Sequence, residues 1–365
     1  MALPRRALGP VAAALLAGLA VLNGALPAPA GASPSAPAAS AWKQQKVPAG
    51  LKHVVLTGVS CAPRGGRCVT AGYVCATASC VGWEPGRILV TTRPGRRWGV
   101  RRSPAPFGSP QAVSCPTASA CFITGTKKAN GKKTAAILRT VNGGRTWSAS
   151  PLPTKATLTG LSCPSTRTCY AVGTTGGAAA SVVIMTRNGG RTWKLRKLPA
   201  GVTAVTCASP SSCVALGYGL ILTTTDGGTR WLNRHLPRSG DLFSTASCPS
   251  ARCVAVGTTI DEGAASEATT RNHGATWKLR PGPGFMKDVI AIWCPTPARC
   301  TAIGVTLDNA PAIGVSSNGG LSWHYRKDPV RDASLYGVTC DHAGQCVAVG
   351  TRNAHRSEPL IIASQ

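Results

Sequence analysis

Apolar and polar positions alternate with a period of two along most of this chain, in short runs broken by Gly, Pro, Ser and Asn. That is the pattern of half-buried β-strands joined by tight turns. The phrase "LTGLSCPSTRTCYAVGT", Leu158 to Thr174, shows half of the recurring unit. An alternating run ends in Cys163, a Pro/Ser/Arg turn follows, and Cys169 opens a second run, which predicts a β-hairpin closed by a cross-strand bridge. "SVVIMTRNGGRTWKLRKLP" supplies the other half: a third run, a Gly-Gly turn, and a fourth strand introduced by Trp193. No stretch within the repeats shows the spacing of an amphipathic helix.

The unit recurs about every 46 residues, with second cysteines at 68, 121, 169, 213, 253, 300 and 346. A fixed repeat overrides the two-domain count that length alone would give. Seven four-stranded units predict an all-β fold, a seven-bladed β-propeller of antiparallel blades over residues 41–365. Tryptophans at 98, 147, 193, 231, 277 and 323 introduce six fourth strands, but the last unit stops after its third, "PLIIAS". Its missing strand is at the other end of the chain, in "SAWKQQKVP" with Trp42. Joining the two closes the ring and removes the open edges of a linear array.

The N-terminal "MALPRRALGPVAAALLAGLAVLNGALPAPAGA" has two arginines, an apolar run from Val11 to Leu22, and small residues at A-x-A spacing at Ala30 and Ala32. Residues 1–32 read as a secretory signal peptide cut after Ala32, since the run is too short to span a bilayer. Residues 33–40, "SPSAPAAS", read as a disordered linker. The mature chain is expected outside the cell or in its envelope, as a monomer without a transmembrane segment.

Sixteen cysteines in an exported chain imply a disulfide framework. Seven pairs follow the repeat: Cys61/Cys68, Cys115/Cys121, Cys163/Cys169, Cys207/Cys213, Cys248/Cys253, Cys294/Cys300 and Cys340/Cys346; Cys75/Cys80 is an eighth. Zinc is the rival reading, but C-x2-C spacing is absent and the six histidines are scattered, so neither metal nor other cofactor is expected.

The Gly-Gly stretches carry a family resemblance. "TRNGGRTW", ending at Trp193, is similar at every defined position to the S/T-x-D/N-x-G-x-T-W Asp-box, or BNR, repeat of sialidase-like propellers. The copies ending at Trp147 and Trp277 match too, while those at Trp98, Trp231 and Trp323 depart by one or more residues. The resemblance implies a structural turn between third and fourth strands: Asn or Asp bonds its own turn, Gly takes positive φ, and Trp packs between blades. It does not carry an active site across, because the F/Y-R-I-P segment with which the sialidase site begins is missing. In type the chain looks most like the photosystem II assembly and stability factor propellers, which implies a chaperone-like scaffold.

Charge then separates the two faces. Formal net charge is +28. In a propeller the cysteine turns and Gly-Gly turns share one face, where this sequence places thirteen arginines, including Arg145, Arg167, Arg187, Arg191, Arg271 and Arg299, against Asp226 and Asp341. The other face receives ten of the twelve acids by the same sorting, Glu267 among them, with cations such as Lys127, Lys128, Lys132 and Lys133. Arg rather than Lys suits planar, bidentate bonding to phosphate or carboxylate. The expected function is a non-catalytic binding or scaffold module for an anionic polymer, an acidic protein or membrane headgroups. Edge protection and solubility are the competing explanation for outer-strand cations. Nucleic acid is disfavoured by export and by the few aromatics outside the Trp series. The alternative is a glycoside hydrolase of sialidase-like or xyloglucanase-like type, with its carboxylate pair drawn from Asp241, Asp261, Glu262, Asp288, Asp308 and Asp332.

Overall fold

In the third repeat, Thr157–Ser162, Cys169–Thr175, Ala180–Thr186 and Lys194–Leu198 hydrogen-bond side by side, antiparallel and in chain order. The computed structural model describes residues 41–64, 66–75, 85–94, 96–104, 106–129, 131–175, 180–234, 236, 241–259, 263–327, 329–352 and 358–364. Seven such sheets are present, numbered here as blades 1 to 7 from the repeat of Cys61 to that of Cys340. The structure is therefore an all-β, seven-bladed propeller, without a helix among the described residues.

Blade 7 is completed as the tryptophan count predicts. Trp42–Gln44 pairs antiparallel with Glu358–Ser364, Trp42 opposite Ser364 and Gln44 opposite Ile362. Trp42 is buried among Ile313, Val330, Leu335, Cys340 and Ile362, so it bridges blades 6 and 7. Blade 2 departs from the pattern: its innermost strand is broken into Phe107–Gly108 and Val113–Ser114, both pairing with Cys121–Ala129. The break falls where Ser109 takes a φ of 42° and Pro110 has no N–H to give the ladder.

The inner strands explain the recurrent "A-V-G" phrase. Blades 1, 3, 4, 5 and 7 each shift register once along the inner strand, as between Leu56 and Gly58 or Leu158 and Gly160, and blade 6 does so twice. The bulge presses that strand onto the second. A Cβ on Gly72, Gly173, Gly217, Gly257, Gly304 or Gly350 would collide with an inner-strand carbonyl oxygen, which is why only glycine fits there.

Blades are joined near the axis by a recurring hydroxyl. The Cys115 amide donates to Ser60 Oγ of the preceding blade at 3.0 Å, Cys163 to Ser114 at 3.0 Å, Cys207 to Ser162 at 3.0 Å and Cys294 to Ser247 at 2.9 Å. Cys61 donates to Thr339 Oγ1 at 3.2 Å, carrying the pattern across the closure from blade 7 to blade 1. Trp293 stands at the hydroxyl position of blade 6.

The cysteines pair within blades: Cys61 with Cys68, Cys115 with Cys121, Cys163 with Cys169, Cys207 with Cys213, Cys248 with Cys253, Cys294 with Cys300 and Cys340 with Cys346. Cys75 is also disulfide-bonded, and its expected partner Cys80 lies outside the described residues. As the repeat predicts, the second cysteine of every hairpin, Cys68, Cys121, Cys169, Cys213, Cys253, Cys300 and Cys346, opens a strand, and each is buried. Several of them pack into a cluster shared with the preceding blade: Cys68 with Val347 and Ile361, Cys213 with Tyr170 and Met185, Cys300 with Val254 and Val256, and Cys346 with Ile303 and Ile313. The physical reason is that a disulfide is apolar and strand alternation turns these sulfurs into the space between blades. They staple the core between neighbouring blades.

Loop closure over so few residues contributes roughly 2 kcal/mol per bridge. Peptide mapping without reduction is expected to return these neighbour pairs together with Cys75–Cys80; a peptide joining two blades would contradict the hairpins.

Candidate functional site

The two kinds of turn on the arginine-bearing face are laced together in blades 2, 3, 4 and 6. The Gly143 amide donates to Ser119 O at 2.8 Å, Gly189 to Arg167 O at 2.9 Å, Gly227 to Ser211 O at 3.0 Å, and Gly319 to Ala298 O at 2.6 Å. Each Gly-Gly turn is closed by its own polar residue: Asn142 Oδ1 accepts from the Thr146 amide, Asn188 from Thr192 and Asn272 from Thr276, each at 3.0 Å. Gly143 and Gly144 take φ of 70° and 79°, a region that suits glycine. In blade 4 the turn residue is Asp226, whose carboxyl lies below the usual range because the Arg230 amide, ahead of its other hydrogen bonds, stabilises the charged form.

All six arginines singled out from the sequence are exposed on these turns. They do not share one role. Arg187 Nη2 donates to the Gly227 carbonyl of the next blade at 3.2 Å. Arg67 does the same to Gly143 at 2.9 Å, Arg139 to Gly189 at 2.6 Å and Arg252 to Pro297 at 3.4 Å. These side chains are clamps between blades, a use for arginine's reach and several donors that charge sorting could not separate from ligand binding. The side chains of Arg145, Arg167, Arg191 and Arg271 bond no carbonyl or carboxylate among the described residues.

Arg271 is gathered with further cations. It lines a hollow of about 220 Å³ between blades 5 and 6 together with Arg252, Lys278, Arg280, Asn272, Gly319 and Leu321. By position in the repeat, Lys278 and Arg280 fall among the outer-strand cations. Their spacing of two residues, which puts both on one side of a strand, was the available signal.

The acids are arranged differently from the sequence-based sorting in one respect. Glu267 is not a loop residue of the opposite face but a fully buried member of the strand Ala265–Thr270. Its register position, opposite Val256 and three residues along the ladder from Cys253, is held by Ile88, Ile137, Val183, Ile221, Ile313 and Ile361 in the other blades. Glu267 Oε2 accepts from Trp323 Nε1 of blade 6 at 2.8 Å, while its other oxygen has no partner. Burial pushes its carboxyl up to about 7, against the opposing effects of the Trp323 hydrogen bond and the Arg280 charge.

Of the hydrolase candidates, Asp241 is buried and accepts from Ser266 Oγ at 3.1 Å, and Asp288 accepts from Thr258 Oγ1. Asp308 and Asp332 are exposed, and Asp261 and Glu262 lie outside the described residues. The central channel, about 460 Å³, is lined by inner strands of all the blades: hydroxyls of Thr57, Thr159, Thr203 and Ser244, with Trp293 and Tyr336 on one wall. No carboxylate is among its described lining residues.

With this geometry in view, the molecule belongs to the architectural class of seven-bladed propellers with intrablade disulfides. No protein-family model matches the chain, and no curated protein matches it either. Solved structures do. The structure described as YCF48 bound to D1 peptide is similar at a TM-score of 0.59 and 15% identity, over 88% of this chain and 96% of that one. The GH74 xyloglucanase from Xanthomonas campestris is similar at 0.58 and 15% over 88% of this chain, which spans 55% of that enzyme. U3-55K is similar at 0.61 and 12%, over 89% of this chain and 98% of that one. Identities this low establish the shared propeller fold, and the neighbours' functions are mixed.

Proposed function

We propose that the protein is an exported, non-catalytic binding module that docks an anionic partner on the face formed by its cysteine and Gly-Gly turns. The observation that carries this reading is the set of exposed arginines, Arg145, Arg167, Arg191 and Arg271, left without an acceptor on a face whose acids are few. A phosphate- or uronate-bearing envelope polymer suits it best among anionic partners, because a repeating charge can meet arginines spread over several blades. Export by residues 1–32 with cleavage after Ala32 belongs to the same proposal, and intrablade disulfides support an oxidising environment. A propeller of matching extent that holds a peptide, the YCF48 structure, supports binding as a use of this fold.

The test contrasts two sets of four substitutions to Gln. Arg145, Arg167, Arg191 and Arg271 are changed in one protein; Lys43, Lys194, Arg196 and Lys197, exposed on outer strands, are changed in the other. Arg187 is left in place because it clamps blade 4. Affinity for long-chain polyphosphate is expected to fall with added salt, and to drop about tenfold in the first set with little change in the second. Equal losses would mean that the surface is merely basic. Release of reducing ends from xyloglucan by the wild type would favour the hydrolase instead.

A further inference from the structure

Two of the Gly-Gly segments are nearly the same sequence. "TRNGGRTWKLR" in blade 3 and "TRNHGATWKLR" in blade 5 place equivalent cations at Arg187 and Arg271, Lys194 and Lys278, Arg196 and Arg280. Their surroundings differ. In blade 3, Arg187 is tied to the Gly227 carbonyl, and the next turn residue is the carboxylate Asp226. In blade 5, the place beside the equivalent Gly319 is taken by Arg252, whose Nη1 donates to the Pro297 carbonyl. The next turn residue there is the neutral Asn318, which bonds Ser316 and Ser322 within its own turn. Arg271 is consequently released, and Arg252 stands with it at the same hollow.

The strand register sets the direction of the rest. Lys278 lies opposite Thr269 and Arg280 opposite Glu267, on the outermost strand Lys278–Pro281. Alternation puts both side chains on the side where Glu267 meets Trp323, toward blade 6. With Arg252 and Arg271 they enclose the hollow of about 220 Å³, whose lining includes no carboxylate. Glu267, opposite Arg280 on the next strand, is fully buried and accepts from Trp323 through one oxygen. Four cations facing one small space repel one another unless an anion joins them. Edge protection explains cations along the outermost strand Lys278–Pro281 but not the addition of Arg252 and Arg271 from two turns to the same hollow.

From this geometry we infer that the groove between blades 5 and 6 is a binding site for a tetrahedral oxyanion, a phosphate or sulfate ester, held by Arg252, Arg271, Lys278 and Arg280. Arginine supplies paired donors to two oxygens and Lys278 a point charge, with the Thr276 hydroxyl at the rim as a further donor. The site rests on the reading of the turn face above and gives that face one defined attachment point for an ester group.

The experiment uses the whole exported chain, with inorganic phosphate, sulfate and acetate as separate probes in calorimetric titration at low salt. The variant Arg271→Gln/Lys278→Gln/Arg280→Gln is compared with the matched Arg187→Gln/Lys194→Gln/Arg196→Gln, and melting temperatures are recorded for both. Phosphate or sulfate affinity is expected to fall about tenfold or more in the first variant and less than about twofold in the second, with acetate bound weakly throughout. Tighter binding of one tetrahedral ion identifies the ester. Equal loss in the two variants, acetate bound as well as phosphate, or no oxyanion binding by the wild type overturns the site. Polyphosphate separates this proposal from the broader one: if it binds while phosphate does not, the groove falls and the face stands. If phosphate binds and polyphosphate does not, the face falls and the groove stands.

Discussion

Deleting residues 41–48 is expected to destabilise the entire ring, whereas deleting 33–40 leaves the melting temperature unchanged. The segment Trp42–Gln44 is the outermost strand of the last blade, paired with Glu358–Ser364 and continued by the Gln45 amide donating to Ile361 O at 2.8 Å. Its loss exposes the edge of that strand and empties the pocket in which Trp42 touches residues of blades 6 and 7. Truncating a buried aromatic alone costs about 3–5 kcal/mol, which for a chain of this size lowers Tm by about 5 °C or more. Trp42→Ala should reproduce most of the deletion's effect. Thermal scans of the two truncations and the point variant decide the matter; equal melting temperatures for the truncations would refute closure by the N-terminal strand.

Glu267→Gln is expected to stabilise the protein increasingly as pH rises. The carboxyl sits at a position that isoleucine or valine fills in the other blades, and burial moves its pKa from 4.5 to about 7. The folded state thus holds this proton more tightly than the unfolded state does. The contribution of the protonated group to stability is complete below 4.5, declines as pH rises through about 7, and is lost above it. At the usual conversion the full difference corresponds to roughly 3 kcal/mol. Glutamine keeps an acceptor for Trp323 Nε1 and removes the titration, so wild type and variant should be nearly equal in stability near pH 5 and diverge toward pH 8. Urea unfolding across that range measures it, and parallel stability curves would show that folding does not raise the pKa of Glu267. Glu267→Ile should also flatten the dependence, at the loss of the Trp323 hydrogen bond.

The two largest effects stand differently to the sequence. The role of Trp42 is legible from a count: six tryptophans follow the repeat and the seventh is at the wrong end of the chain. The role of Glu267 is not, because one Glu within "AASEATT" resembles a loop acid until the ladder aligns it with Ile88 and its counterparts. The arginines divide in the same way. Their shared face follows from which turns they occupy, but whether a guanidinium meets a neighbouring carbonyl, as at Arg187, or remains open, as at Arg271, depends on the facing blade. The cysteines divide as well: spacing pairs Cys207 with Cys213, but that Cys213 is buried against Tyr170 and Met185 of the preceding blade is a fact of packing.

The seven blades, the ring closure and the cysteine partners within each hairpin can be read directly from the chain, but the split inner strand of blade 2 cannot. What can be read follows from local chemistry repeated at a fixed interval: alternation sets the faces of a strand, Gly and Asn set the turns, and short separations set which cysteines meet. What lies across a blade boundary is set by packing: the buried Glu267 against Trp323, the arginine clamps, and the convergence of Arg252, Arg271, Lys278 and Arg280. Those contacts join residues tens of positions apart, where a single step in register would send each side chain to the opposite side of its strand, and the repeat alone does not fix which side chains then meet.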